Sequence, residues 1–272
     1  MPAIPEDAHA ILADAVQSFP SAPSTPRLAM TEAFHAAQSA AESSADAPIE
    51  IETAPQPRFA VIWMHGLGAD GGDFVPVVPE LGLPSDAAVR FIFPHAPLIP
   101  VTCNGGYIMR AWYDIVSLND ARRHADESGI RASRDTIRAL IARENARGIP
   151  SSHIVLAGFS QGGAMAYLAG LTHPEPLAGI IALSTYLASP TLLDAEAAPG
   201  NAATPIFAAH GAQDDVVPLA LGTQARDLLQ QRGYPLTWQT YPMPHSVCLE
   251  EIADIGVWLG QRLAAAGAGS AA

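Results

Sequence analysis

Residues 153–165 read His-Ile-Val-Leu-Ala-Gly-Phe-Ser-Gln-Gly-Gly-Ala-Met, and no other segment restricts the fold as strongly. A continuous apolar run, Ile154–Ala157, enters Gly158-Phe-Ser160-Gln-Gly162, and a helical pattern, Ala164–Leu171, leaves it. A serine on so sharp a strand-to-helix turn adopts strained backbone geometry, with neighbouring backbone crowding in. Glycine two residues to either side removes the Cβ atoms that would block the chain. The turn lifts the Ser160 oxygen above a sheet and points a helix N-terminus at developing negative charge. Gly-x-Ser-x-Gly alone arises often by chance, but between a strand and a helix it predicts a nucleophile.

The rest of the chain fits the sheet that such a turn requires. Ile49–Glu52 alternates apolar and polar residues as an edge strand does. Phe59–Met64, Val89–Phe93, Leu177–Leu183, Pro205–Ala209 and Leu236–Tyr241 are short runs of the kind that forms buried strands. Helical periodicity lies between them in Ser133–Arg147, Leu219–Arg232 and Leu249–Leu263, with Gly148, Pro150 and Gly233 as stop signals. Alternating βα units predict an α/β fold with a mostly parallel central sheet, helices on both faces, and a site at the strand carboxyl ends. Residues 48–265 form this expected domain. Residues 1–47, rich in Ala, Ser and Pro, read as a flexible or loosely docked extension with short helical stretches around Ala8–Val16 and Thr31–Ser43. Residues 266–272 read as a disordered tail.

Composition removes several chemistries. The formal net charge is −13 over 272 residues, which disfavours nucleic acid and anionic lipid as partners. All 14 basic residues are arginine, so no Schiff base, Ser-Lys dyad or P-loop lysine can operate. Cys103 and Cys248 have no Cys-x-x-Cys spacing, and no His-Glu-x-x-His or other close histidine pairing suggests a metal. No cofactor is implied. The N-terminus opens on acids and lacks a secretory pattern, and no window has the length of a membrane span. These readings predict a cytoplasmic protein without stable membrane insertion.

A serine nucleophile needs a base, and the base an orienting acid, on loops after later strands in the order Ser, Asp or Glu, His. His210-Gly-Ala-Gln-Asp214-Asp215 follows one strand, and Met243-Pro-His245 follows the last. Among the 9 histidines, His245 alone stands on that last loop. Asp214 and Asp215 both fit the acid position, and spacing does not choose between them. His9, His35 and His124 read as exposed polar residues, His95, His153 and His173 as structural, and His210 as a turn residue. A second oxyanion donor is expected from the early loop Met64-His65-Gly66-Leu67-Gly68, giving the backbone N–H groups of Leu67 and Gln161 as the donor pair. His65 reads as a packing and hydrogen-bonding residue of that loop, not as a second base. Gly66-Leu-Gly68-Ala-Asp-Gly71 also satisfies the dinucleotide pattern, but the next strand ends in Phe93-Pro94-His95 without a ribose-binding acid. Pro76 and Pro79 break the helix that pattern requires.

The ordered set His-Gly-Leu-Gly-Ala-Asp, Asn-Gly-Gly…Trp-Tyr-Asp-Ile, Gly-Phe-Ser-Gln-Gly-Gly, His-Gly-x-x-Asp-x-Val-Val-Pro and Pro-x-Pro-His-Ser resembles the phospholipase/carboxylesterase family of α/β-hydrolases, which includes acyl-protein thioesterases, lysophospholipases and bacterial carboxylesterases. The resemblance spans Ile49 to Leu263. It implies Ser160 as nucleophile, His245 as base and Asp214 as the acid. It also implies a long loop over Pro97–Ile115 beside the site, offering Leu98, Ile99, Val101, Ile108, Met109 and Trp112, with Val217 from the acid loop, as substrate-binding positions. The expected activity is a serine carboxylesterase hydrolysing short- to medium-chain carboxylic esters through an acyl-enzyme intermediate, with a small-molecule ester or thioester as the expected partner. Thioesterase or lysophospholipase activity is the alternative, and a non-catalytic binding relative a remote one. The family allows a homodimer, and the N-terminal extension has no counterpart in its pattern.

Overall fold

The computed structural model describes residues 46–84, 86–116 and 126–269. The chain divides into two units, Met1–Ala45 and Asp46–Ala272, and the description concerns the second. The expected stretches Ala8–Val16 and Thr31–Ser43, together with His9, His35 and His124, lie outside the described residues.

The strands are β1 (Ile49–Glu52), β2 (Phe59–Met64), β3 (Val89–Phe93), β4 (Leu98–Val101), β5 (Tyr107–Arg110), β6 (Ile154–Phe159), β7 (Gly179–Leu183), β8 (Ile206–Gly211) and β9 (Leu236–Tyr241). The helices are α1 (Glu127–Ala146), α2 (Gln161–Leu171), α3 (Pro190–Glu196), α4 (Leu219–Gln231) and α5 (Leu249–Gly269). Seven strands form one sheet in the order β1-β3-β2-β6-β7-β8-β9. Only β1 is antiparallel to its neighbour, so the sheet is mostly parallel as its apolar runs predict. β4 and β5 pair separately as an antiparallel ribbon.

Side chains alternate across the sheet with the two-residue period of a strand. On β2, Ala60, Ile62 and Met64 enter one core with Ile137 and Ile141 of α1 and the interior of α2. Phe59, Val61 and Trp63 enter the other, against the 3₁₀ segment Val75–Leu81 and Ile252, Ile255 and Leu259 of α5. α2 is buried at every position, which suits its all-round Ala, Gly, Met and Leu composition. Edge strand β1 is fastened by charge: Arg90 of β3 donates to Glu52 at 2.9 Å and to the buried Glu144 of α1, while Arg143 and Arg147 reach Glu50 at 2.7 and 2.9 Å. Glu144 has no exposed surface, and this arginine cluster is what makes its burial tolerable.

Three elements depart from expectation. The segment 97–110 is a β ribbon and not an open loop. α1 begins at Glu127, ahead of the expected Ser133, because Ile130 extends its apolar stripe one turn beneath the sheet. α5 continues to Gly269, into the expected tail, and the high helix propensity of Ala264–Ala266 accounts for that.

α5 crosses the 3₁₀ segment so closely that a Cβ on Gly256 would stand 1.8 Å from the Leu81 carbonyl oxygen. Gly256→Ala is therefore expected to destabilise the domain by about 1–3 kcal/mol, since the obstacle is backbone and cannot rotate away. The midpoint of urea unfolding measures it, with Gly260→Ala, where nothing lies within 4 Å, as the comparison.

Candidate active site

The site stands at the carboxyl ends of β2, β6, β8 and β9. Ser160 has φ 55° and ψ −119°, left-handed backbone that a residue with a Cβ rarely adopts. Surrounding bonds hold it there. The Ser160 N–H donates to Leu183 O at 2.8 Å, and its carbonyl accepts from Ala164 N at 3.1 Å and Thr185 Oγ1 at 2.6 Å. The flanking glycines are required by space: a Cβ on Gly158 would meet Gly162 O at 2.2 Å, and one on Gly162 would meet Met64 O at 2.3 Å.

His245 Nε2 lies 3.0 Å from Ser160 Oγ, and its Nδ1 lies 2.7 Å from Asp214 Oδ2. A carboxylate only accepts, so Nδ1 carries the proton and Nε2 is free to take one from the serine hydroxyl. The Asp214 side chain is fully buried. Its Oδ1 accepts the Val216 and Val217 N–H groups at 3.0 and 2.8 Å, and these donors compensate its desolvation. Asp215 is exposed and makes no such contact. Phe159 packs its ring against the imidazole of His245, with centroids 4.7 Å apart.

His210 is buried behind the acid loop. Its Nε2 donates to Val217 O at 2.8 Å and lies 3.4 Å from Asp214 Oδ2. Burial lowers its pKa, which keeps it neutral beside the carboxylate. It therefore touches the acid directly, a role that its position just before the turn did not reveal.

Leu67 is half-buried on the loop after β2, where Gly68 N donates to Arg110 O at 2.8 Å. Gln161 opens α2, so its N–H has no intrahelical acceptor. Its side chain does further work: Oε1 accepts from Trp112 N at 2.8 Å, and Nε2 donates to Tyr113 O at 2.7 Å.

The expected substrate-binding positions separate into two groups. Leu98 and Ile108 are 63 % exposed on the β4–β5 ribbon, with Ile99 and Met109 half-exposed beside them. The Met109 sulfur approaches Gly68, and so lies next to the loop after β2. Val101, Trp112 and Val217 are buried and offer a substrate almost no surface. The Trp112 indole N–H points inward and donates to His65 O at 2.9 Å. Trp112 therefore stands in the structure as a brace within the protein and not as a pocket wall. Among the described residues no cluster of His, Cys, Asp and Glu could hold a metal ion, and no helix is long and apolar enough to cross a membrane.

The family model described as phospholipase/carboxylesterase matches residues 47–261. The chain belongs to the phospholipase/carboxylesterase family. It is 44 % identical over 225 residues to acyl-protein thioesterase 1 of Neurospora crassa, covering 79 % of this chain and 91 % of that one. It is 39 % identical over 218 residues to acyl-protein thioesterase 1 of Mycosarcoma maydis, covering 75 % and 91 %. Among solved structures, Arabidopsis thaliana SOBER1 superposes with a TM-score of 0.72 at 30 % identity, over 76 % of this chain and 99 % of that one. Zea mays acyl-protein thioesterase 2 gives 0.68 at 27 % identity over 79 % and 99 %. This family member is an α/β-hydrolase by fold and a serine hydrolase by activity.

Because backbone fills the space beside both glycines of the turn, Gly158→Ala should displace Ser160 as well as lower stability by about 1–3 kcal/mol. Labelling by a fluorophosphonate probe should slow at least tenfold at a temperature where circular dichroism still reports a folded protein. Labelling at the parental rate would mean that the turn accommodates the methyl.

Proposed function

We propose that this chain is a thioesterase of the acyl-protein thioesterase kind, with Ser160 as nucleophile, His245 as general base and Asp214 as its orienting acid. The observation that carries the reading is the unbroken series Ser160 Oγ–His245–Asp214 at 3.0 and 2.7 Å on a strained turn. The Ser160 proton passes to His245 Nε2 as Oγ bonds to the acyl carbon, and the carbonyl electron pair becomes an oxyanion facing the Leu67 and Gln161 N–H groups. Collapse breaks the carbon–sulfur bond, and the thiolate takes the proton from His245. Water, deprotonated by the same imidazole, attacks the acyl-enzyme. The carboxylic acid leaves and Ser160 regains its proton.

The relatives tip the choice of leaving group. Curated relatives at 39–44 % identity are named acyl-protein thioesterases, which favours a thioester over the short- to medium-chain carboxylic ester that the motifs alone suggest. A cysteine thiol has a pKa of about 8.5, so a thiolate leaves with little help, and one triad serves both bonds. Carboxylesterase activity is the second reading, favoured by a TM-score of 0.69 to esterase PE8 at 27 % identity.

Four variants and one substrate pair test this. Ser160→Ala and His245→Ala should lose about 10⁴-fold or more in kcat, and Asp214→Asn about 10³–10⁴-fold. Asp215→Asn should stay within threefold, and the reverse order of the two aspartates would move the acid. With one acyl chain offered as thioester and as oxyester, kcat/KM should be at least tenfold higher for the thioester; equal or inverted values would favour the carboxylesterase.

A further inference from the structure

An oxyanion donor on a loop is useful only if its peptide cannot rotate. The Leu67 N–H and the Gly66 carbonyl belong to one planar peptide unit and point in opposite directions, so whatever holds that carbonyl aims that N–H. The Gly66 oxygen lies 2.7 Å from His65 Nδ1. The Ala96 N–H donates to His65 Nε2 at 3.0 Å, which makes Nε2 the acceptor and leaves the single ring proton on Nδ1, donated to Gly66 O. The ring is 1 % exposed, and burial pushes its pKa down to about 4, so it stays neutral and in one tautomer at neutral pH. The peptide is also next to the nucleophile, since a Cβ on Gly66 would stand 3.4 Å from Ser160 Cβ.

A second connection joins the preceding peptide, His65–Gly66, to the residue that carries the other donor. The Trp112 indole N–H donates to His65 O at 2.9 Å, and the Trp112 backbone N–H donates to Gln161 Oε1 at 2.8 Å. Trp112 thus links the His65 carbonyl, one peptide before the Leu67 donor, to the side chain of Gln161, which carries the other donor.

We propose that His65 is a positioning residue, whose Nδ1–H holds the Gly66–Leu67 peptide so that the Leu67 N–H faces the oxyanion, with Trp112 tying the adjoining His65 carbonyl to Gln161. The inference rests on the assignment of Ser160, Leu67 and Gln161 made above. Donation into the carbonyl also polarises the peptide and strengthens its N–H as a donor. A histidine that merely packed would have no reason to act more strongly on the transition state than on bound substrate.

That difference is measurable. His65→Leu keeps bulk and removes the donor, whereas His65→Asn keeps an N–H near the Nδ1 position. With a nitrophenyl ester, His65→Leu should lose about 100-fold in kcat with KM within threefold. Affinity for a trifluoromethyl ketone of the same acyl chain should fall by a similar factor. That ketone adds Ser160 Oγ at its carbonyl carbon while the proton passes to His245, so it reads the oxyanion site directly. His65→Asn should recover at least tenfold of the loss in both measurements. Trp112→Phe, which removes the indole N–H together with part of the buried ring, should lose roughly tenfold in kcat and supplies the test if His65→Leu does not fold. A kcat within threefold of the parent in the folded Leu variant, unchanged ketone affinity, or an Asn variant no better than Leu would each overturn the role of His65. If His65→Leu does not fold, a Trp112→Phe kcat within threefold of the parent overturns the Trp112 tie. Ser160→Ala run alongside separates the two claims: turnover that survives in it overturns the nucleophile assignment, whatever His65 does.

Discussion

The left-handed backbone at Ser160 is the constraint on which the rest of the site depends. A residue with a Cβ at φ 55° carries strain of about 1–3 kcal/mol, and such strain persists only where surroundings over-determine it. Here they do. β6 pairs on both sides with parallel strands, and α2 leaves the turn into a core that covers every one of its residues. Rotating Ser160 to relaxed geometry would move α2, and moving α2 would expose an apolar helix. The strain is offset by burial that Ser160 itself does not provide. Glycines 158 and 162 follow from the same closeness, because the backbone atoms facing them are those of the turn and of β2.

Around that fixed point, two histidines are given opposite electrical lives. His245 keeps 14 % of its side chain exposed and faces a buried carboxylate. His65 is buried between backbone groups, donating to Gly66 O and accepting from Ala96 N, and gaining a second proton would cost it the Ala96 bond. In the proposed mechanism one imidazole passes a proton in each turnover, while the other holds one proton in one place. His210 is the intermediate case, neutral yet in contact with Asp214. Its Nε2–H satisfies the Val217 carbonyl, whose neighbouring N–H groups hold Asp214, and so it steadies the loop without adding charge.

Most of the sheet was legible because apolar runs on buried parallel strands have little freedom to mean anything else. The bounds of β1, β2, β3 and β9 agree with the runs Ile49–Glu52, Phe59–Met64, Val89–Phe93 and Leu236–Tyr241. Ser160, His245 and the acid loop could be named because each follows a strand. Three things resisted. The β4–β5 ribbon carries Pro100 and a turn of two glycines, Gly105 and Gly106, so it reads as loop, and pairing with itself alone gives it no long apolar run. The start of α1 is Asp126-Glu-Ser-Gly129, polar and glycine-containing, where a Cβ on Gly129 would come 3.3 Å from the Tyr113 backbone. Trp112 had no local signal for its orientation. An aromatic beside a predicted loop suggests a pocket wall, and only the tertiary bond from its indole to His65 O turns it inward.

The same division suggests how a family member can keep one reaction and change its substrate. Every group assigned to bond-making stands on the sheet ends or is braced from inside: Ser160 by α2, Asp214 by its own loop, Leu67 by His65. The side chains proposed to meet an acyl chain, Leu98, Ile99, Ile108 and Met109, ride on a two-stranded ribbon outside the main sheet, and two of them are largely exposed. A two-stranded ribbon has little stability of its own, and its exposed apolar residues contribute nothing to either core. Substitution there is therefore cheap for the fold, whereas substitution at Gly158, Gly162 or Gln161 disturbs the strained turn. Under the proposed assignment, chemistry resides in the part of the molecule that cannot move without unpacking, and recognition of the acyl group in the part that can vary without doing so.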